Sequence, residues 1–566
     1  MAKSISSIAL YVVGITTLIF VGVITFGFYN AAVATDARDK TVSLVSVALE
    51  PSCNVQEDSA RSLAQEEKRR WDSYNVRHAR ALEHLTAPLP CHPNNGDEKT
   101  YPDGLATFTK GLLHDANGFA DPVGLALLIN AGTTGTPADF DAIPQAPLAV
   151  RDFTNPQAAF AYDLIGADSH SFTVPPAPAF NSAERAADIV ETYWMALTRD
   201  VPLTQYGSSA LITQAIADMS TLSDYRGPPL SAQTIFRGTA PGCTTGPYIS
   251  QFFYLDSPMG ANSVDMRMKP PTPNRDFMAD NYTEWLRVQN GEQPAESMTY
   301  LLNLPRYIFT GRDLAGWVHM DVLFQAPFTA MLQMIAANFP LKPNIPYQTT
   351  ELNQMGFATF GGPQVAYAAT MSAINALKAA WFQKWAVHRT LRPEVMAQRI
   401  HLVKTGALPT LPIHTDALNS AALTETFNKF GTYLLAQAFP EGSPLHPSYC
   451  AGHATVSGAA FTILKAFFDE DYVIPNPKVP DNTLGDTLVP YTGPDVLTVG
   501  HELNKAAWNV GNGRVVAGVH YRSDTTASIK LGEQVAISIL RDMKPTFTEP
   551  GTYFKFRDFD GNLVVI

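Results

Sequence analysis

Cysteine is scarce in this chain: Cys53, Cys91, Cys243 and Cys450 are the only four among 566 residues. That excludes a disulfide-dense scaffold, and their spacing matches no zinc-ligand pattern. A Cys53–Cys91 staple for the N-terminal region and unpaired buried thiols are both left open. Positive charge is also short, with 40 Lys and Arg against 52 Asp and Glu and a net charge of −12. Such a balance excludes nucleic acid as the main partner. An acidic protein that binds an anion must gather its cations locally, so the placement of a few Lys and Arg carries more information than their total. Alternating strand patterns are few and short, and no repeat of fixed period occurs, which argues against sheet-based and repeat architectures.

What is present is a chain 46% hydrophobic and 16% charged, the composition of a globular protein with a large core. One stretch is unlike the rest. Residues 8–34 carry no charge, and Lys3 is the only positive charge before them. At ~1.5 Å per residue such a run can cross a hydrocarbon core of ~30 Å. It also reads as a signal segment ending in Ala31-Ala32-Val33-Ala34. Either way the expectation is an exported protein, membrane-anchored or secreted. Residues 35–102 read as a connector or extension, with an Arg/Glu-rich helical stretch at 65–85, and residues 103–566 as the main domain.

Helical periodicity is clear at 182–197, 314–337, 364–391, 421–439, 453–468, 498–510 and 525–543. The fold class is therefore mainly α, with helices bundled around a core.

Three segments carry chemistry. The first, Lys384-Trp-Ala-Val-His388-Arg-Thr-Leu-Arg392-Pro393, ends a long helical pattern, and its residues Lys384, His388 and Arg392, four apart, are expected on one face. Read alone it is a solvated basic face; with an oxyanion it is a point charge beside a planar fork. The second runs from His446-Pro-Ser448 to Gly452-His453-Ala, a loop entering a helix through small residues. That places backbone N–H groups of a helix start, with His453 beside them, where an anion can approach. The third is Gly513-Arg514-Val-Val-Ala-Gly-Val-His520-Tyr-Arg-Ser-Asp524. His520 and Asp524, at i and i+4, can pair so that the carboxylate fixes the imidazole tautomer.

Together these segments resemble the shared site of the vanadium haloperoxidases and the type-2 phosphatidic acid phosphatases. Residues 376–394, 438–469 and 502–524 look specifically like algal and cyanobacterial bromoperoxidases, as do residues 108–118, 236–251, 272–280 and 312–321. The resemblance implies a mainly α helical-bundle fold and a pentavalent vanadate cofactor. It implies His520 as the ligand, with Lys384, Arg392, Arg514 and the Gly452 N–H holding the oxyanion, and Asp524 supporting His520. His453, with His446 and Lys384 beside it, is implied as the catalytic acid/base. The partners implied are hydrogen peroxide, a halide, small organic acceptors and further copies of the chain.

Two positions bear on the halide. Trp381 is similar to the tryptophan of chloroperoxidases, whereas His446 is similar to the histidine of bromoperoxidases, a mixture that points to bromide and iodide and leaves chloride open. The chain departs from the family at Ala451, where the pattern has serine and its hydroxyl; Ser448 or a water is left as a substitute. Residues 347–356 offer one carboxylate, Glu351, where calcium wants several, so calcium is not expected. Asp321 is a candidate partner for Arg514. A phosphatase with His520 as the phosphoryl acceptor, and an inactive anion binder, are the alternatives. The long matching stretches outside the site, and an eight-residue Lys384–Arg392 step, one longer than the usual phosphatase step, weigh against the phosphatase.

Overall fold

The computed structural model describes residues 63–348 and 353–566. The chain divides into two units, residues 1–68 and 69–566. The charge-free run at residues 8–34, Cys53 and Glu351 lie outside the described residues. Cys91, Cys243 and Cys450 carry free thiols. Among the described residues, no helix is long and apolar enough to cross a membrane.

Helices dominate, and the strands among the described residues form three short antiparallel pairs. The helices that position the site are α1 (Ala183–Leu197), α2 (Gly311–Met320), α3 (Gln325–Ala336), α4 (Gly362–Phe382), α5 (Pro393–Lys404), α6 (Gly452–Phe467), α7 (Val499–Val516) and α8 (Arg522–Met543). Helix α6 is central. Every residue in it is buried except His453, as in a helix enclosed by others, and the buried set includes Thr455, Ser457, Thr462 and Lys465 beside the apolar majority. Helices α4, α7 and α8 pack around it. The approach of α8 is backbone to backbone. A Cβ at Gly458 would meet the Ile529 carbonyl oxygen at 2.1 Å, and one at Gly532 would meet the Thr455 oxygen at 2.0 Å.

Four expected helices end elsewhere: the pattern at 498–510 runs on to Val516 as α7, and the other three stop or break for a local reason. The pattern at 314–337 splits into α2 and α3, because Asp321 leaves the helix with φ −68° and ψ 152°. The pattern at 421–439 stops at Phe430, where Gly431 turns left-handed with φ 73° and satisfies the Phe427 carbonyl. The pattern at 364–391 continues as α4 only to Phe382. Gln383–His388 then form one π-helical turn, and Arg389 closes it at φ 39°. That turn corrects the expectation of one shared face, because His388 and Arg392 are no longer on a continuous α-helix. His388 instead meets the edge of the Tyr449 ring, with centroids 4.8 Å apart.

The buried apolar side chains form three clusters, and the candidate site lies where they meet. Trp381 and Trp385 belong to one, Ala451 and Ala454 to a second, and Leu391, Val519 and Tyr521 to the third. Each functional side chain is thus flanked along the chain by core residues that fix its backbone.

Candidate active site

All nine site residues expected from the sequence come together around one cavity of about 310 Å³. Trp381, His446, Gly452, His453, Arg514 and His520 line it. Lys384, Arg392 and Asp524 stand behind them, completely buried.

His520 leaves α7 on a short turn and is held by α8. Its Nδ1 lies 2.8 Å from Asp524 Oδ2. The same carboxylate oxygen accepts from Ser448 Oγ at 2.5 Å and from the Tyr521 N–H at 3.2 Å. The carboxylate therefore accepts the Nδ1–H hydrogen bond, which leaves Nε2 with its lone pair. Arg392 Nη1 donates to that lone pair at 2.9 Å. Ser448 commits its hydroxyl proton to Asp524, so it does not stand in for the hydroxyl missing at Ala451.

Arg392, at the N-terminus of α5, spends the rest of its fork on the Val519 carbonyl at 2.7 Å, His446 Nδ1 at 2.9 Å and the His446 carbonyl at 2.8 and 3.0 Å. Lys384 donates to the carbonyls of Pro447 at 2.5 Å and Ser448 at 2.8 Å. Arg514 donates to the Val318 carbonyl at 3.0 Å, and its Nε has no partner. None of the three cations forms a salt bridge among the described residues. Burial pushes all three pKa values down, and the repulsion of Lys384 and Arg392 from Arg514 adds to it: Lys384 falls well below its ordinary value and Arg392 to about 9. Asp524, Glu394, Asp321 and Glu441 offset part of this charge from a distance, but none pairs directly with the three cations, and buried cations without a direct partner are costly. An oxyanion seated among them removes that cost. Burial and the same cations hold His446 and His520 neutral, well below the usual imidazole value. The residues present thus fit an oxyanion of the vanadate type.

Helix α6 starts at the cavity with no side-chain cap at Ala451, so its first N–H groups have no capping partner from that side chain. The Ala451 N–H itself goes to Ser528 Oγ at 2.7 Å. Glycine at 452 lets α6 close on α4, since a Cβ there would lie 3.1 Å from the Trp381 ring and 3.2 Å from Leu377. His453 Nε2 is 3.0 Å from Asp321 Oδ1. The Asp321 hydrogen bond therefore goes to His453, correcting the pairing expected with Arg514. The break between α2 and α3 is what brings Asp321 there. Trp381 is pinned by a 2.9 Å bond from Nε1 to the Thr154 carbonyl, and its ring centre is 4.8 Å from that of His446.

Sequence reasoning assigned no role to His319, Glu441 or Arg151, which also line the cavity. His319 lies two residues before Asp321, inside the family-like segment 312–321, and a histidine in such a segment was the available signal.

Fold and site together define a helical-bundle protein built around a buried oxyanion cradle. Residues 364–549 match the family described as the VCPO second helical-bundle domain. The vanadium-dependent bromoperoxidase of Corallina officinalis is 34% identical over 84% of this chain and 92% of its own length. That of Ascophyllum nodosum is 34% identical over 84% of this chain and 88% of its own. Among solved structures, the homohexameric second vanadate-dependent bromoperoxidase from Ascophyllum nodosum superimposes with a TM-score of 0.84 at 28% identity, covering 92% of this chain and 93% of that one. The chain belongs to the vanadium-dependent haloperoxidases, within the bromoperoxidase family.

Proposed function

We propose that this enzyme oxidises bromide with hydrogen peroxide to hypobromous acid, which brominates small organic acceptors, and that vanadate sits among Lys384, Arg392, Arg514 and the Gly452 N–H with His520 Nε2 as its ligand. The observation that carries this reading is the set of three buried, unpaired cations around an imidazole whose other nitrogen is fixed by Asp524. When bound, vanadate supplies a Lewis-acid centre that activates peroxide without a change of oxidation state. Asp524 keeps the Nε2 lone pair directed at the ligand position, and Arg392 must turn from Nε2 to the oxyanion when the site fills. Lys384, Arg392 and Arg514 neutralise the oxyanion and draw charge from it. His453, anchored through Nε2 by Asp321, keeps Nδ1 free to take and return the peroxide proton. His446, neutral and hydrogen-bonded to Arg392, shares that proton traffic.

The Trp381–His446 pair supports iodide as a second substrate, with chloride the poorest of the three. The uncharged residues 8–34 support export, as an anchored or secreted enzyme. The homohexameric neighbour supports a homo-oligomer. Equilibrium dialysis against orthovanadate tests the placement. One vanadium per chain is expected, with His520→Ala weakening retention at least about 100-fold, in line with loss of a ligand and its support. Unchanged retention in that variant would contradict His520 as the ligand.

A further inference from the structure

Helix α2 separates two recesses. Val318 and His319 face the active-site cavity, while Gly316, Trp317 and Met320 face a groove of about 450 Å³ on the other side. The partition ends at Met320, the last residue of α2. The chain then leaves the helix at Asp321, which lines both spaces. Asp321 is also the residue that holds His453, through the 3.0 Å contact of its Oδ1 with Nε2. The cavity and the groove therefore adjoin at the residue that orients the proposed acid/base.

Three thioethers line the groove: Met266, Met268 and Met320. Met268 lies against α2, since a Cβ at Gly316 would be 3.4 Å from its methyl group. Met266 and Met268 are half-buried, whereas Met320 is 70% exposed. A thioether is a soft nucleophile with no proton to lose, and an exposed one oxidises readily to the sulfoxide. The reaction proposed above makes a two-electron oxidant, hypobromous acid, in the adjoining cavity.

We propose that the groove is an oxidant trap and that Met320 is its modification site, converted to methionine sulfoxide by hypobromous acid leaving the cavity past Asp321. The proposal rests on the haloperoxidase reading, which supplies the oxidant. The Met320 sulfur attacks bromine; the S–Br bond forms, and the Br–O bond breaks with its electron pair on oxygen, giving hydroxide. A water oxygen then attacks sulfur as the S–Br pair leaves with bromide. Of the two protons released, one neutralises the hydroxide. The sum is thioether and hypobromous acid to sulfoxide, bromide and one proton, with sulfur oxidised and bromine reduced by two electrons. Met266 and Met268 stand behind Met320 in the same groove as the next thioethers to react.

Met355 is an internal reference. It is 83% exposed, more than Met320, and lines neither space. Phe357 packs against Gly361 at the start of α4, so Met355 lies at the opposite end of that helix from Trp381, about 29 Å away along the axis at ~1.5 Å per residue. Exposure alone therefore favours Met355, and proximity to the cavity favours Met320.

The test measures sulfoxide at both positions by peptide mass spectrometry. Vanadate-loaded enzyme turns over bromide and limiting peroxide without an organic acceptor, beside the same protein treated with hypobromous acid added to the buffer. The Met320-to-Met355 sulfoxide ratio should be several-fold higher under turnover than with the added reagent. Excess monochlorodimedone, which consumes oxidant in bulk solution, should suppress Met355 oxidation more than Met320 oxidation. Equal ratios under turnover and with the reagent overturn the proposal, and so does Met320 oxidation that persists when bromide is omitted. Monochlorodimedone bromination without Met320 sulfoxide overturns the trap alone. Absence of both bromination and sulfoxide overturns the haloperoxidase reading as well.

Discussion

One residue separates this site from a generic oxyanion cradle. Ala451 removes one hydroxyl from the start of α6, and Ser448 does not replace it, because its proton goes to Asp524. A charge-assisted hydrogen bond contributes about 1.5–3 kcal/mol. Ala451→Ser should therefore tighten vanadate about 10- to 100-fold, read from the orthovanadate concentration that half-restores bromination; no tightening would mean that another donor already fills the place. His388 lies outside the cradle, with neither ring nitrogen partnered. Burial, with the charge of Arg389, lowers its pKa to about 3. An unfolded histidine titrates near 6.5, so below that pH the unfolded chain binds a proton that the folded chain does not. Stability is full above about pH 6.5 and falls as the pH drops toward 3, by about 2 kcal/mol from this group at pH 5. His388→Phe keeps the contact with Tyr449 and loses no hydrogen bond. It should leave the urea midpoint at pH 7 the same or higher and recover about 2 kcal/mol of the loss at pH 5; an unchanged pH slope would count against the burial argument. The site identities were legible because Lys384, Arg392, His453, Arg514 and His520 sit in short fixed spacings. The role of Asp321 was not, since its partner depends on where α2 stops.

At the scale of elements, the seam between α6 and α8 sets the distance between Gly452–His453 and His520. It closes through two glycines, Gly458 and Gly532, whose added methyl groups would strike backbone rather than movable side chains. Gly458→Ala should lower stability by about 2–4 kcal/mol in urea unfolding and weaken vanadate binding in the folded fraction, because overpacking here separates two halves of the cradle. A neutral substitution would mean that the seam does not define the site. Helix existence and position were readable for α1, α6 and α8, and the start of α7, where apolar periodicity is long and the start is marked by a side-chain cap or an abrupt change in composition; α7 itself runs six residues past the expected end. The π turn at Gln383–His388 was not readable, since it preserves the apolar pattern while shifting the phase of the residues after it. The consequence is local but decisive. It is this turn, with Arg389 left-handed, that sends Lys384 and Arg392 toward the same point from different backbone directions.

At the scale of the whole molecule, the site stands where three apolar clusters meet, and it gathers buried positive charge inside a chain whose net charge is −12. That contrast is legible in the composition alone, and the order of the three segments points to the family. How far apart the segments lie in the fold, and which extra side chains complete the cavity, depend on tertiary packing: His319 and Glu441 are 122 positions apart in sequence. The central claim is that the cradle binds vanadate and turns it to halide oxidation rather than to phosphate ester hydrolysis. The most direct measurement is monochlorodimedone bromination by protein freed of metal and titrated with orthovanadate in the presence of bromide and peroxide, run beside p-nitrophenyl phosphate hydrolysis by the same preparation. Bromination that is absent before vanadate, rises to saturation near one vanadium per chain and is competed by phosphate is the predicted result; hydrolysis without any vanadate-dependent bromination would contradict it.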